Sequence, residues 1–144
     1  MKEKIIIWLR VALVLLLIIG GIRTILFPWI FPFQVAGVEL RGASSCGGGS
    51  SRTVELSRGE VHLFLLCYNL AAYDGEVVAD SCESDYCFVV HMTNGSRGEI
   101  RDSHFSSAQI RVGSANSNRD FWLKSNILDW YALELVEKYD LTDS

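Results

Sequence analysis

The feature that most constrains this chain is the run from Ile5 to Ile22, IIIWLRVALVLLLIIGGI, in which Arg10 is the sole charge. Eighteen helical residues span about 27 Å, close to the hydrocarbon thickness of a bilayer. A helix of that length on the surface of a globular domain carries a polar face, and this run has none. The sequence therefore predicts a short N-terminus, 1–4, followed by a transmembrane helix over 5–24. Lys2, Lys4 and Arg10 hold the amino end in the cytoplasm by the positive-inside rule, with only Arg23 near the far end before Arg41. Arg10 lies near enough to the start to snorkel back toward headgroups. The apolar run exceeds the about 7–15 residues of a signal-peptide core, and no small-x-small site follows it closely, so an uncleaved signal anchor is expected.

Residues 25–33 contain both prolines of the chain, Pro28 and Pro32. Each lacks an N–H and disfavours helical geometry in the residue before it. Trp29 and three Phe rings suit a membrane–water interface, so this segment is expected to end the helix and to anchor the next domain near lipid.

Residues 34–144 are long enough to bury roughly two-thirds of their unfolded surface around one core. Their pattern predicts an α+β class: a small extracytoplasmic domain of antiparallel strands with a C-terminal helix. Strands are expected at 35–40, 53–56 and 107–112. The apolar run 61–68, bounded by the turn-like Ser57-Arg58-Gly59-Glu60, fits a strand buried on both faces, with a short buried helix as the alternative. Asp74-Gly75 reads as a turn before a strand at 76–79. Asn94-Gly95 reads as a two-residue hairpin turn between 86–93 and 96–101, because both residues accept positive φ. Residues 121–123 suit a last strand or a helical turn. A terminal helix follows, capped by Asn126 with Asp129. It carries an apolar stripe of Leu128, Ala132, Leu135, Val136 and Tyr139, and a Glu134–Lys138 pair four residues apart.

Charge divides unevenly. The first 33 residues carry four cations and one acid, whereas the remainder carries nine cations and sixteen acids. A domain so acidic repels phosphate backbones, which argues against a nucleic-acid partner. The loops at 42–51, 80–86 and 113–118 are candidate contacts, and Asp80, Glu83 and Asp85 would steer a basic protein partner.

All four cysteines, Cys46, Cys67, Cys82 and Cys87, follow the apolar run. In an oxidising compartment an even count predicts two structural disulfides, with all three pairings open. Cys82-x4-Cys87-x3-His91 matches no standard zinc spacing, and the acids at 80–85 lack the alternation and glycine of a calcium loop, so no metal and no cofactor are expected. No nucleophile elbow, zinc-protease motif or phosphate-cradling loop is present, and no catalytic residues are assigned. The expected function is protein binding at the membrane, as an accessory or regulatory subunit or an immunity-type inhibitor of an envelope protein. The alternatives are a small envelope hydrolase using His104 or His91, and a purely structural subunit of a larger membrane complex.

Overall fold

The computed structural model describes residues 1–26, 29–42, 52–77, 84–103, 108–114 and 120–142. Helix α1 covers Lys2–Leu26, two residues beyond the expected end. It is long and apolar enough to be a membrane span or a signal sequence, and none of its apolar window is buried against protein.

The rest of the described chain forms a seven-stranded, wholly antiparallel sheet with two helices. Its strands are β1 (Val35–Arg41), β2 (Thr53–Glu55), β3 (Ala72–Glu76), β4 (Cys87–Met92), β5 (Arg97–Asp102), β6 (Gln109–Ser114) and β7 (Phe121–Lys124). Their spatial order is β2-β1-β4-β5-β6-β7-β3. Helix α2 (Arg58–Asn69) connects one edge strand, β2, to the opposite edge strand, β3. Helix α3 (Asn126–Lys138) follows β7.

Period-2 alternation gives the sheet one apolar face. Cross-strand partners Leu40, Phe88, Ile100, Val112 and Phe121 form one row of it, and Val38 and Val90 belong to the next. Phe64 and Tyr68 of α2 and Leu128, Ala132, Leu135 and Val136 of α3 close over this face to make a single core. Phe64 meets Phe88 with ring centroids 4.4 Å apart. The opposite face carries charge but is partly covered: Arg41, Arg101 and Arg111 share a row across five strands with the buried Cys87 and Trp122, and Val89 on the same side is fully buried. Arg111 is ion-paired with Asp120, and Arg97 with Glu99 at 3.1 Å.

Four expectations change. Residues 61–68 are helical, not a strand, and Ser57-Arg58-Gly59-Glu60 is the helix start rather than a turn. The Ser57 hydroxyl accepts from Glu60 N while a Glu60 carboxylate oxygen accepts from Ser57 N, so both ends of the box are satisfied. Asp74-Gly75 lies inside β3, where the register against β7 shifts and Gly75 takes φ +106°. It is a bulge, which uses the same left-handed freedom as a turn. The hairpin exists, but its loop has three residues: Met92 N donates to Ser96 O, Gly95 N donates to Met92 O, and only Gly95 has positive φ. Finally, α3 is capped by Ser125, whose hydroxyl accepts from Leu128 N, one residue before the expected cap.

Candidate functional site

Two helices cover the core, and both present large apolar side chains outward as well as inward. On α2 these are Leu63 and Leu66, with Leu70 at its C-cap; on α3 they are Ile127, Trp130 and Leu133. Trp130 is 61% exposed. Contiguous apolar surface of this kind marks interaction sites in soluble and membrane-associated domains.

The helices are fastened by one carboxylate. Glu60, buried at the start of α2, accepts from Lys138 Nζ at 2.7 Å and from the Tyr139 hydroxyl at 2.8 and 2.9 Å, both at the end of α3. The Tyr131 hydroxyl donates to the Glu60 backbone carbonyl. Burial alone would raise the Glu60 pKa. The hydrogen bonds from Lys138, Ser57 and Tyr139 overcome it and lower the pKa to about 2. Lys138 therefore reaches across to α2 rather than along its own helix to Glu134, as the sequence had suggested.

At the amino end of α3, three acids gather around Tyr86. Its hydroxyl donates to Asp129 Oδ1 at 2.8 Å, and Asp102 Oδ1 accepts from both Asp85 N and Tyr86 N. Burial, with Asp129 and then the other two acids, pushes the tyrosine pKa upward, so the phenol stays protonated. Burial also raises the pKa of Asp102. Asp85 itself is exposed. Of the acids proposed as partner contacts it is the one the structure describes, and it precedes Tyr86, whose hydroxyl bonds Asp129 in the first turn of α3; Asp80 and Glu83 lie outside the described residues.

The other sequence candidates are dispersed. Cys67 sits on a helix rather than the expected strand, and Cys87 lies on the charged sheet face; both are buried free thiols, not bonded to one another. Burial raises both pKa values, and Cys87 reaches about 11 because burial and Glu99 outweigh Arg41, Arg101 and Arg97. A thiol so protonated is a poor nucleophile. Cys46 and Cys82 lie outside the described residues, as does His104. His91 is on β4 with Nε2 3.4 Å from Glu39 Oε1 but outside hydrogen-bond geometry. His62 is exposed on α2, not on a strand. Among the described residues no three of His, Cys, Asp and Glu converge to hold a metal. Arg10 lies within α1, as does Arg23.

Trp29 is half-buried and, with Ile30, walls an apolar cavity of about 400 Å³ over Val90, Gly98, Ile100 and Phe121. Sequence reasoning missed this recess and the clamp beside it: Ile30 N donates to Asn69 Oδ1 at 3.1 Å, and Asn69 Nδ2 donates to Ile30 O at 2.8 Å. One side-chain amide thus binds the segment after α1 to the end of α2 as a neighbouring strand would. No protein-family model, curated protein or solved structure matches this chain.

Proposed function

We propose that this chain is a single-pass membrane protein with a cytoplasmic amino end and a periplasmic or extracellular domain, and that the domain binds a basic protein partner at the membrane. In that role it serves as an accessory or regulatory subunit, or as an immunity-type inhibitor, of an envelope protein. The observation that carries the reading is the outward face of α3. Ile127, Trp130 and Leu133 stand exposed on it, and Glu134 and Glu137 stand exposed among them. Trp is enriched among the residues that dominate binding energy at protein interfaces. The flanking acids, with Asp85 near the same end, favour a partner with basic groups around an apolar socket. The uncovered α1, with three cations in its first ten residues, supports the anchor.

Affinity purification of the full-length chain from detergent-solubilised native membranes tests the proposal. It is expected to recover one stoichiometric protein, and Trp130→Glu is expected to lose that protein while the domain stays folded. Recovery of no stoichiometric partner, or of one indifferent to Trp130→Glu, overturns the reading.

A further inference from the structure

We propose that the outward face of α2, together with Phe31 and Phe33, rests in the headgroup region of the same bilayer that receives α1. This rests on the reading of α1 as a membrane span. Three observations point to lipid as the occupant.

The first is reach. Only residues 27–29 separate the end of α1 from Ile30, which the Asn69 amide fixes to the last turn of α2. Four extended residue steps cover at most about 14 Å. The carboxyl end of α2 is thus tethered within about 14 Å of the end of the helix that enters the membrane, close to its surface. From there the chain runs back along α2: Pro32 and Phe33 line a shared recess with Val61 and His62 near the helix start. The length of α2, not only its tip, is therefore drawn alongside the tether.

The second is the surface itself. Leu63, Leu66 and Leu70 recur at helical spacing on the side away from the core, and Leu70 is 67% exposed. Beside them Phe31 and Phe33 stack with ring centroids 5.6 Å apart, and Phe33 is 77% exposed. An apolar helix face with aromatic neighbours is the composition that lies in a membrane interface.

The third is charge. The sole acid of α2, Glu60, is buried, and its outward polar residues are Arg58 and His62. No exposed acid lies on α2 itself to oppose contact with phosphate headgroups; the exposed acid beside it, Glu55 of β2, lines the Pro32–Phe33 recess together with Arg58. The outward face of α3 carries Glu134 and Glu137 instead, which suits it to the partner proposed above rather than to lipid. Lipid beneath α2 would then leave α3 presented to a partner in a defined orientation.

The test uses the full chain reconstituted into phosphatidylcholine–phosphatidylglycerol vesicles, with an environment-sensitive fluorescent amino acid placed singly at Val14, Leu66, Leu70 or Glu134. Lipids carrying a doxyl quencher near the headgroup or along the chain are then added. Probes at Leu66 and Leu70 are expected to be quenched several-fold by the headgroup-proximal label. The probe at Val14 responds to the chain label, and the probe at Glu134 responds to neither. If Val14 is quenched while Leu66 and Leu70 behave like Glu134, α2 does not touch lipid and the proposal fails while the anchor stands. A blue-shifted but unquenched Leu66 probe means that protein, a second copy included, covers the face, which also overturns it. An unquenched Val14 removes the anchor itself. As a second arm, replacing Leu66 and Leu70 together by Ser is expected to release a probe at Phe33 from quenching without altering the circular dichroism spectrum; unchanged quenching contradicts the proposal.

Discussion

Helices α2 and α3 are nearly equal in length and share one core, one cap chemistry and one connecting carboxylate, yet they differ in their outward faces. On α3 the outward side mixes Ile127, Trp130 and Leu133 with Glu134 and Glu137, so the apolar stripe toward the core stands out in the sequence. On α2 the outward side is itself leucine-rich, so Val61 to Tyr68 alternates with nothing. The difference teaches that a helix apolar on two sides hides its period. What hid it is also what makes α2 suited to lipid.

Four perturbations break or sharpen this comparison. The largest concerns the shared core. Phe64→Ala on α2 is expected to cost about 3–5 kcal/mol and Leu128→Ala on α3 about 2–5 kcal/mol, since both side chains are fully buried. Denaturant unfolding followed by near-ultraviolet circular dichroism reads both. If Phe64→Ala is nearly silent, α2 is not the lid of the core.

Next is the fastening between the helices. Glu60→Gln is expected to cost about 1.5–3 kcal/mol, the usual range for hydrogen bonds to a charged group. Because the folded-state pKa of Glu60 is about 2 against an ordinary 4.5, its contribution is complete above pH 4.5 and disappears as pH falls toward 2. The wild-type chain should lose stability across that interval, and the Gln variant should lose less. Parallel acid-titration curves would show that Glu60 does not join the helices.

The caps come third. Ser57→Ala and Ser125→Ala should each cost about 1 kcal/mol. The loss at Ser57 should be the larger, because it opens a reciprocal box that Ser125 lacks. Equal melting temperatures for the two variants would remove that distinction. Smallest are the outward faces: Leu66→Ser and Trp130→Ser should each change stability by less than about 0.5 kcal/mol. Their effects should appear in lipid contact and partner recovery instead, and a large loss of stability in either would mean that the side chain is part of the core.

Much of the sheet was legible because one-sided strands alternate. Val38 and Leu40 announce β1 in this way, whereas β4, buried continuously from Cys87 to Val90, was legible as an apolar run ended by Asn94-Gly95. The mistakes have local causes. Ser57-x-x-Glu60 carries both the signature of a capping box and the small polar composition of a turn, and an eight-residue apolar run after it does not choose between helix and strand. Asp74-Gly75 marks a residue with positive φ, which a bulge and a turn require alike. The Asn69 clamp was invisible, since its partners lie 39 residues apart and no period connects them. Nor could sequence show that Lys138 passes over Glu134 to reach Glu60, because the choice depends on how α2 docks. Of the partner contacts, Asp85 was read from charge alone; the α3 face was read only as a core stripe, and its outward side went unnoticed.

The most direct measurement compares the two helices in native membranes. A photo-activatable amino acid is placed at Leu66 or at Trp130 of the full-length chain, and the adducts are identified by mass spectrometry. The expected result is lipid attached at Leu66 and one discrete protein attached at Trp130. Lipid at both positions, or the same protein at both, would contradict the division of labour between α2 and α3.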